Sequence, residues 1–265
     1  MAQTPDKPEG YAKRPPASLF ALGYATLPEQ IEIGGKPYRQ SKLFKHDFFA
    51  ATALYEPSAA ERDSAGVLTG KLAVFKVQRT YPFFGLPMRW LGAMVARREI
   101  KIFKALQGIQ GIPEFMGEAE KTGFIHEFIP GEDLRAELKP DEEFFRQLEQ
   151  LFTAVHSRYV AYVDANKREN ILFGADHRPY LIDFQISYIC AHGEKSNFFA
   201  RWLLKRFQNE DWYHFFKHKT RLAPKSCSQE DFARAQKRSW YIRVHRFFAQ
   251  PLIKLRRWFL RRYQT

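Results

Sequence analysis

The stretch YVDANKRENILF, Tyr162–Phe173, sets Asp164 and Asn170 six positions apart, with Lys167 and Arg168 between them and the apolar run ILF directly after. Aspartate and asparagine often form turns through their own backbone, so one interpretation is a solvated surface turn. The other interpretation is a catalytic loop that holds an acid and a metal ligand on opposite sides of a bound phosphate. The sequence on either side of the loop favours the second interpretation.

Short strands and long helices flank this loop. Apolar runs rich in β-branched and aromatic residues predict strands in five places: 41–57, 71–80, 160–163, 171–173 and 179–184. Residues 112–134 are predicted to form a hairpin around EAEKTG. Apolar residues at i, i+3, i+4 spacing predict a helix over 91–108, and a proline followed by acidic residues predicts a helix start in 140–159. The chain after residue 184 is predicted to be helical and basic.

The order of these elements predicts an α+β protein with two lobes. Residues 1–40, rich in Pro and Gly, are expected to form an irregular lead-in. Residues 41–130 would form a lobe of strands with one helix, and 131–231 a mostly helical lobe that holds the loop. Residues 232–265 would form a basic helical segment.

The composition is that of a globular chain long enough to bury a core: 265 residues, 45% hydrophobic and 27% charged. A formal net charge of +13 indicates a partner with phosphate: nucleotide, nucleic acid, lipid headgroup or phosphorylated glycan. Two cysteines, Cys190 and Cys227, are too few for a disulfide framework. We find neither a signal peptide nor the roughly 20 apolar residues of a membrane span, and we expect a cytoplasmic protein.

Five polar residues follow one another at strand ends, on a helix and in the loop: Lys76, Glu99, Asp164, Asn170 and Asp183. Alone, each has an ordinary interpretation as an edge lysine, a solvated helix charge, a turn residue or a helix cap. Phosphoryl transfer needs a cation on the nucleotide phosphates and a carboxylate that holds this cation. It also needs an acid near the attacking hydroxyl and oxygen ligands for Mg²⁺. Together the five residues supply every part.

With these residues, the chain from Ser41 to Ala223 resembles the protein-kinase-like superfamily. Within it, the chain looks like the atypical bacterial branch that includes lipopolysaccharide (Kdo) kinases and RIO-like kinases. The motifs that carry the resemblance are AVFK at Lys76, ARREI at Glu99, YVDANKREN at Asp164 and Asn170, and DFQ at Asp183. The resemblance implies a two-lobed protein-kinase-like fold, with a small antiparallel-sheet N-lobe that has one helix and a mostly helical, shortened C-lobe.

The resemblance also implies roles in binding ATP and Mg²⁺. Lys76, braced by Glu99, would contact the α- and β-phosphates, and Asn170 and Asp183 would hold Mg²⁺. Asp164 would orient the acceptor hydroxyl and accept its proton.

Further contacts to ATP are implied around these residues. Lys167 would reach the transferred phosphate. Ala51 and Thr52, in the glycine-poor turn HDFFAATALYE, would lie over the phosphates. In HEFIPGEDL, the Glu127 carbonyl and the Ile129 N–H would contact adenine.

Departures from the family pattern bear on the acceptor. Tyr162 stands where a structural histidine is common, the interval from Asp164 to Asn170 is one residue longer than in protein kinases, and DFQ lacks the usual glycine. No A-P-E motif follows Asp183. A glycan, a lipid or a small molecule is therefore expected as acceptor, rather than a protein. Asp211, in NEDWYHFF, matches the helix aspartate that fixes the catalytic loop.

Two basic and apolar stretches remain. Residues 232–265 contain ten Lys or Arg and no Asp or Glu, and on a helix 251–263 the apolar and basic side chains take opposite sides. Such a helix would dock on an anionic membrane at its inner face, or would pack its apolar side on the C-lobe. Binding of nucleic acid is ranked last because no base-reading motif is found. GLPMRWLG, 85–92, is predicted to pack the helix against the sheet.

The sequence therefore predicts an ATP- and Mg²⁺-dependent phosphotransferase that moves the γ-phosphate to a hydroxyl. Two other classes stay open. YVD, DFQ and the glycine-poor turn suggest a pseudokinase-type binding or scaffold module. The charge alone suggests a basic protein that docks on membrane or nucleic acid.

Overall fold

A computed structural model describes residues 15–58 and 70–236 of the chain. These residues form a mixed α+β structure in which a curled antiparallel sheet and one helix precede a mostly helical part. This is compatible with two lobes.

The large sheet has six strands in the spatial order β1-β2-β3-β4-β6-β5, and every neighbouring pair is antiparallel. Its strands are β1 Gln30–Ile33, β2 Lys36–His46, β3 Ala50–Pro57, β4 Ala73–Gln78, β5 Phe115–Ala119 and β6 Gly123–Glu127. Helix α1, Arg89–Leu106, connects β4 to β5. The predicted strand at 71–80 and the helix at 91–108 are confirmed. The hairpin predicted over 112–134 is confirmed for residues 115–127, whereas 131–133 pairs in another sheet.

The predicted irregular lead-in over 1–40 is wrong from residue 30 onward. Strands β1 and β2 form a hairpin there, with Ile33 paired to Lys36 across Gly34 and Gly35. Both glycines have positive φ, 58° and 79°, which two-residue hairpin turns require and which glycine adopts without steric cost. The Gly-Gly pair directly after the alternating run IEI is a sequence signal for this hairpin. The high Pro and Gly content of residues 1–40 conceals it.

The second part contains three helices and two small sheets. Helix α2, Glu142–Ser157, begins at Asp141, whose side chain accepts a hydrogen bond from the Phe144 N–H, so the predicted helix start is confirmed. The other elements are β7 Gly131–Asp133, β8 Val160–Ala161, β9 Ile171–Gly174, β10 Pro179–Leu181, β11 Tyr188–Ile189, α3 Phe198–Leu222 and α4 Gln229–Gln236. The sequence did not predict β11, which pairs with β8.

Two buried clusters lie on opposite faces of the large sheet. One face carries Ala51, Ala53 and Tyr55 of β3 with Phe75 of β4, and the preceding segment covers it through Leu27. The other face meets α1 and the helical part, in a larger cluster of Phe-rich side chains from α1, β6, α2, β8 and α3. Strand alternation therefore decides which side chains of β3 and β4 point toward the helical part.

The prediction for the amphipathic helix at 251–263 lies outside the described residues, as does the basic segment from 237 onward. Within residues 15–58 and 70–236, no helix combines the length and the apolar character that a membrane span requires.

Candidate functional site

Lys76 joins the sheet to helix α1 and to the segment after β10. Its Nζ lies 2.7 Å from Glu99 Oε1 and 2.8 Å from Asp183 Oδ1. Glu99 is fully buried, and its other oxygen accepts a hydrogen bond of 2.8 Å from Gln78 Nε2. Three of the predicted residues, 107 positions apart at most, thus form one ion-paired group.

Burial and charge pairing set the protonation of this group. Burial opposes the charge on Lys76, but the carboxylates of Glu99 and Asp183 outweigh it and raise the pKa of the lysine above its ordinary value. Burial likewise opposes the charge on Asp183, yet Lys76 lowers the pKa of this carboxyl to about 2. Near neutral pH the lysine is therefore a cation and Asp183 an anion.

Asp164, Lys167 and Asn170 form a second group in the loop between β8 and β9. Asp164 Oδ2 accepts a hydrogen bond of 2.8 Å from Asn170 Nδ2 and lies 2.6 Å from Lys167 Nζ. A short 3-10 turn, Arg168–Asn170, sets this geometry by bringing Asn170 back over the loop. Asp164 and Asn170 are buried, whereas the Lys167 side chain is 56% exposed.

Backbone contacts bring the two groups side by side. The Asn170 carbonyl accepts a hydrogen bond of 3.1 Å from the N–H of Ile182, the residue before Asp183. The buried Tyr162 hydroxyl lies against the carbonyls of Asn170 and Ile182. Tyr162 therefore ties the loop to the chain at the end of β10, just before Asp183.

Asp211 of α3 fixes the start of the loop through hydrogen bonds to its backbone. Its carboxylate accepts hydrogen bonds of 2.7 Å from each of the N–H groups of Tyr162 and Val163, and His156 Nε2 lies 3.0 Å away. Asp211 is fully buried, and burial raises the pKa of its carboxyl. The contact predicted for Asp211 is present.

Two residues of the site have left-handed backbone. Val163 has φ 68° and Asp183 has φ 61°. A β-branched residue in this region is strained, and such a conformation persists only where surrounding contacts hold it. The Asp211 carboxylate supplies that contact for Val163, and the Lys76 ammonium for Asp183.

An aromatic column, which the sequence did not predict, connects α1 to the loop. The ring of Phe103 lies 4.9 Å from that of Phe184, and Phe184 lies 5.4 Å from Tyr162, centroid to centroid. All three rings are buried. The only signal in the sequence is that each aromatic residue lies within four positions of a predicted polar site residue.

The structure separates the two residues predicted over the phosphates. The turn between β2 and β3 is Asp47–Phe49, and Ala51 lies inside β3 with its side chain in the buried cluster on the far face of the sheet. The turn predicted at Ala51 is therefore wrong, because this residue lies inside a strand and its side chain points away from Lys76. A contact from its backbone to phosphate stays a prediction. Thr52 is the cross-strand partner of Lys76, so both side chains share the face toward α1.

Glu127 and Ile129 lie at the end of β6, on the strand next to Lys76. The Glu127 carbonyl lies 2.8 Å from His126 Nδ1, and the Glu127 N–H bonds to Glu114. Ile129 is half-buried, and its N–H bonds to no other residue among those described. Nucleotide contacts at these two residues stay predictions.

Two side-chain oxygen atoms of the site, one on Asp183 and one on Asn170, accept no hydrogen bond from the described residues and are suitable ligands for a hard cation. The described hydrogen bonds engage Oδ1 of Asp183 and Nδ2 of Asn170, and leave Asp183 Oδ2 and Asn170 Oδ1 without a partner among the described residues. Carboxylate and amide oxygens are ligands that Mg²⁺ accepts, with water and phosphate completing its six positions. The donor set is therefore compatible with Mg²⁺ bound together with a nucleotide.

Comparison with known proteins adds no relative. No protein-family model matches the chain, and no curated protein matches it at a significant level.

Proposed function

We propose that this protein is an ATP- and Mg²⁺-dependent phosphotransferase with a two-lobed, protein-kinase-like arrangement. The observation that carries the proposal is the ion-paired group of Lys76, Glu99 and Asp183 beside the hydrogen-bonded pair Asp164 and Asn170. A buried lysine between a buried carboxylate, Glu99, and a half-buried one, Asp183, is costly to maintain for stability alone. It suits a site where a cation must be held ready for phosphate oxygens.

Each side chain has a task in the transfer. Lys76, fixed by Glu99, would neutralise phosphate oxygens, and Asn170 and Asp183 would hold Mg²⁺ by their uncommitted oxygens. Mg²⁺, when bound, supplies positive charge that stabilises the charge developing on the phosphates. Asp164 would accept the proton of the acceptor hydroxyl, whose oxygen bonds to the γ-phosphorus as the bond to the departing ADP breaks.

The short segment after Asp183 favours a small or lipid-linked acceptor over a protein. Only 14 residues separate Asp183 from α3 (198 − 183 − 1), and several contacts fix them. Strand β11 pairs with β8, and Ser187 donates a hydrogen bond of 2.8 Å to the Tyr162 carbonyl. Such a segment offers little extended surface for a peptide. A hydroxyl on a glycan, a lipid or a small molecule is the proposed acceptor.

Thermal unfolding with and without Mg·ATP tests nucleotide binding. A ligand that binds only the folded state raises Tm, so wild type and Asp164→Asn should both be stabilised, and Lys76→Met should not. Lys104→Met, an exposed lysine on the same helix as Glu99, is the matched control and should respond like wild type. An equal Tm rise in Lys76→Met would contradict the assignment of Lys76.

Transfer of radiolabelled γ-phosphate tests catalysis, with lipid A-type glycans, free sugars and a generic protein as acceptors. Asp164→Asn should lower the rate about 10²- to 10⁴-fold, the usual contribution of a positioned acid or base. Asp176→Asn, in the turn between β9 and β10, should leave the rate unchanged. Undiminished turnover in Asp164→Asn removes the role of Asp164. Stabilisation by Mg·ATP without transfer or hydrolysis would instead indicate the binding-module alternative.

A further inference from the structure

Large apolar side chains are exposed at the start of α1 and in the turn before it. Phe84 is 80% exposed, Leu86 65%, Trp90 64% and Met94 54%. We refer to these four residues as the α1 patch. The prediction that 85–92 packs the helix on the sheet holds at Gly92, where a Cβ would collide with the carbonyl oxygen of Arg79, the residue after β4. Leu86 and Trp90 point outward.

The turn that presents Phe84 is held in place rather than loosely attached. Phe83 and Leu86 pair across it, with positive φ at Phe84 (49°) and Gly85 (76°). Beneath it the buried Arg79 guanidinium lies 4.1 Å from the Phe48 ring. Arg79 donates hydrogen bonds to four backbone carbonyls, those of Ser18, Phe20, Phe48 and Pro82. The exposed ring thus sits at a fixed tip.

The exposed side of α1 is basic wherever it is not apolar. Arg89, Arg97, Arg98 and Lys101 are exposed, and the one acid of the helix, Glu99, is buried. At helical spacing, Trp90, Arg97 and Lys101 share one side with Met94. Exposed acids from β5 and the turn after it pair with two other α1 bases, Glu120 with Arg89 and Glu118 with Lys104. Arg97 and Lys101 form no ion pair among the described residues. Aromatic rings beside arginine and lysine with uncompensated charge are the composition of surfaces that meet anionic lipid.

A second exposed group begins α3. Phe198 is 84% exposed, Phe199 66% and Trp202 51%, and the rings of Phe199 and Trp202 stack at 5.8 Å. We refer to these three residues as the α3 patch. The first ten residues of α3, FFARWLLKRF, contain three bases and no acid, and Arg201 and Lys205 are exposed.

Both patches border the segment that follows Asp183. Arg98, one helical turn beyond Met94, donates a hydrogen bond of 2.5 Å to the Ser187 carbonyl. The next residue, Tyr188, donates through its hydroxyl to the Ala200 carbonyl at 3.4 Å, within the first turn of α3. Ile186, 47% exposed, directly precedes these two residues in the sequence. The patches therefore flank one segment.

We propose that the α1 patch and the α3 patch, with the bases beside them, dock the protein on an anionic lipid bilayer. The charge supports lipid over a protein partner, since bases accompany both patches and the net charge is +13. The rings would enter the headgroup region while the bases contact lipid phosphates. This docking goes beyond the proposed transfer, because it needs no nucleotide and can be measured without it.

Co-sedimentation of the full chain with vesicles tests the docking. Vesicles of phosphatidylcholine with 30% phosphatidylglycerol should bind wild type, more weakly at higher salt, whereas phosphatidylcholine alone should bind at least tenfold less. Phe84→Ser with Trp90→Ser should lower the partition coefficient about tenfold. Phe199→Ser with Trp202→Ser should do the same. Leu43→Ser, an exposed apolar residue on β2, is the matched control and should bind like wild type.

The charge arm uses Arg97→Gln with Lys101→Gln, which should lower binding about tenfold or more because each base near an anionic surface contributes about fivefold. Lys139→Gln with Arg178→Gln, exposed bases of the second part, should bind like wild type. Binding that stays undiminished in both aromatic variants overturns the proposal and points to other basic segments. Absence of wild-type binding also overturns it, and leaves a protein partner for these patches.

Discussion

A charged side chain is stable in a protein interior only where opposite charge or hydrogen bonds meet it, and Lys76 has two carboxylates within 2.8 Å. The strand position of Lys76 and the helix position of Glu99 could be predicted from the sequence, because periodicity marks both elements. The direct contact from Lys76 to Asp183 could not be predicted, since it depends on how the second part closes against the sheet.

Tyr162→Phe tests the link between the loop and the end of β10. Removing the buried hydroxyl takes a hydrogen-bond partner from the carbonyls of Asn170 and Ile182. We expect the free energy of unfolding to fall by about 1–2 kcal/mol in urea titrations. Tyr180→Phe, whose hydroxyl binds Asp176 near the surface, should lose less than about 0.5 kcal/mol. Equal losses in the two variants would show that the Tyr162 hydroxyl has no special role.

His218 predicts a pH dependence of stability. Burial, with the positive charge of nearby Lys217, Arg168 and Arg221, lowers the pKa of His218 to about 4. The folded pKa lies below the unfolded value of 6.5, so the unfolded state binds protons first as the pH falls. The contribution is complete above pH 6.5 and is lost toward pH 4.

Urea titrations at pH 7 and pH 5 measure this loss. His218 should account for up to about 2 kcal/mol between these two values. His218→Gln keeps a donor for the Ala165 carbonyl but does not titrate. Between pH 7 and pH 5, the free energy of unfolding of this variant should therefore fall by up to about 2 kcal/mol less than that of wild type. His177→Gln, an exposed histidine, should behave like wild type. An unchanged pH slope in His218→Gln would refute the prediction.

Among the secondary-structure elements, α3 positions the loop that carries Asp164, because Asp211 in the middle of this helix hydrogen-bonds to the start of the loop. Asp211→Ala leaves the buried N–H groups of Tyr162 and Val163 without their acceptor. Since each unsatisfied group costs about 1–3 kcal/mol, we expect a loss of about 2–5 kcal/mol in the free energy of unfolding. Val163, with its positive φ, should then relax.

Two variants make this measurement specific. Asp211→Asn keeps one carbonyl oxygen and should lose less than Asp211→Ala. Asp176→Ala removes an aspartate from an exposed turn and should change stability by less than about 0.5 kcal/mol. A loss in Asp211→Ala no larger than in Asp176→Ala would contradict the role of α3 in holding the loop.

The elements also show where sequence interpretation fails. Helices α1 and α2 could be predicted because a long 3.6-residue period and a capping aspartate mark them. The Pro and Gly content of residues 1–40 predicts an irregular chain and so conceals the hairpin of β1 and β2, whose turn Gly34 and Gly35 form. Ala51 was misplaced because small residues suggested a turn, while the turn itself is built by Asp47, which accepts hydrogen bonds from Phe49 and Ala50.

Across the whole molecule, α1 and the aromatic column join the large sheet to the second part within one buried cluster. Phe103 contacts Phe124 of the sheet, at 5.4 Å between centroids, and Phe184 of the second part, at 4.9 Å. Phe103→Ala should lower the free energy of unfolding by about 3–5 kcal/mol, because truncating a buried ring leaves a cavity. Phe84→Ala, at the exposed tip, should change it by less than about 0.5 kcal/mol.

Calorimetry gives a second readout for Phe103→Ala. With the column interrupted, the sheet part and the helical part should unfold less cooperatively, and a broadened or split transition is expected. A sharp single transition together with a loss below about 1 kcal/mol would mean that Phe103 does not couple the parts. The α+β class was predictable from the order of the elements. The aromatic column was not predictable, because the sequence has many aromatic residues and does not show which of them pack together.

The Asp211 contact also has a consequence for synthesis on the ribosome. The carboxylate that positions Tyr162 and Val163 is translated 47 residues after Asp164 (211 − 164). At about 5–20 residues per second, this delay is about 2–9 seconds. During that interval the nascent loop has its acid but lacks its acceptor from α3. The loop therefore reaches its final geometry only after α3 has been made.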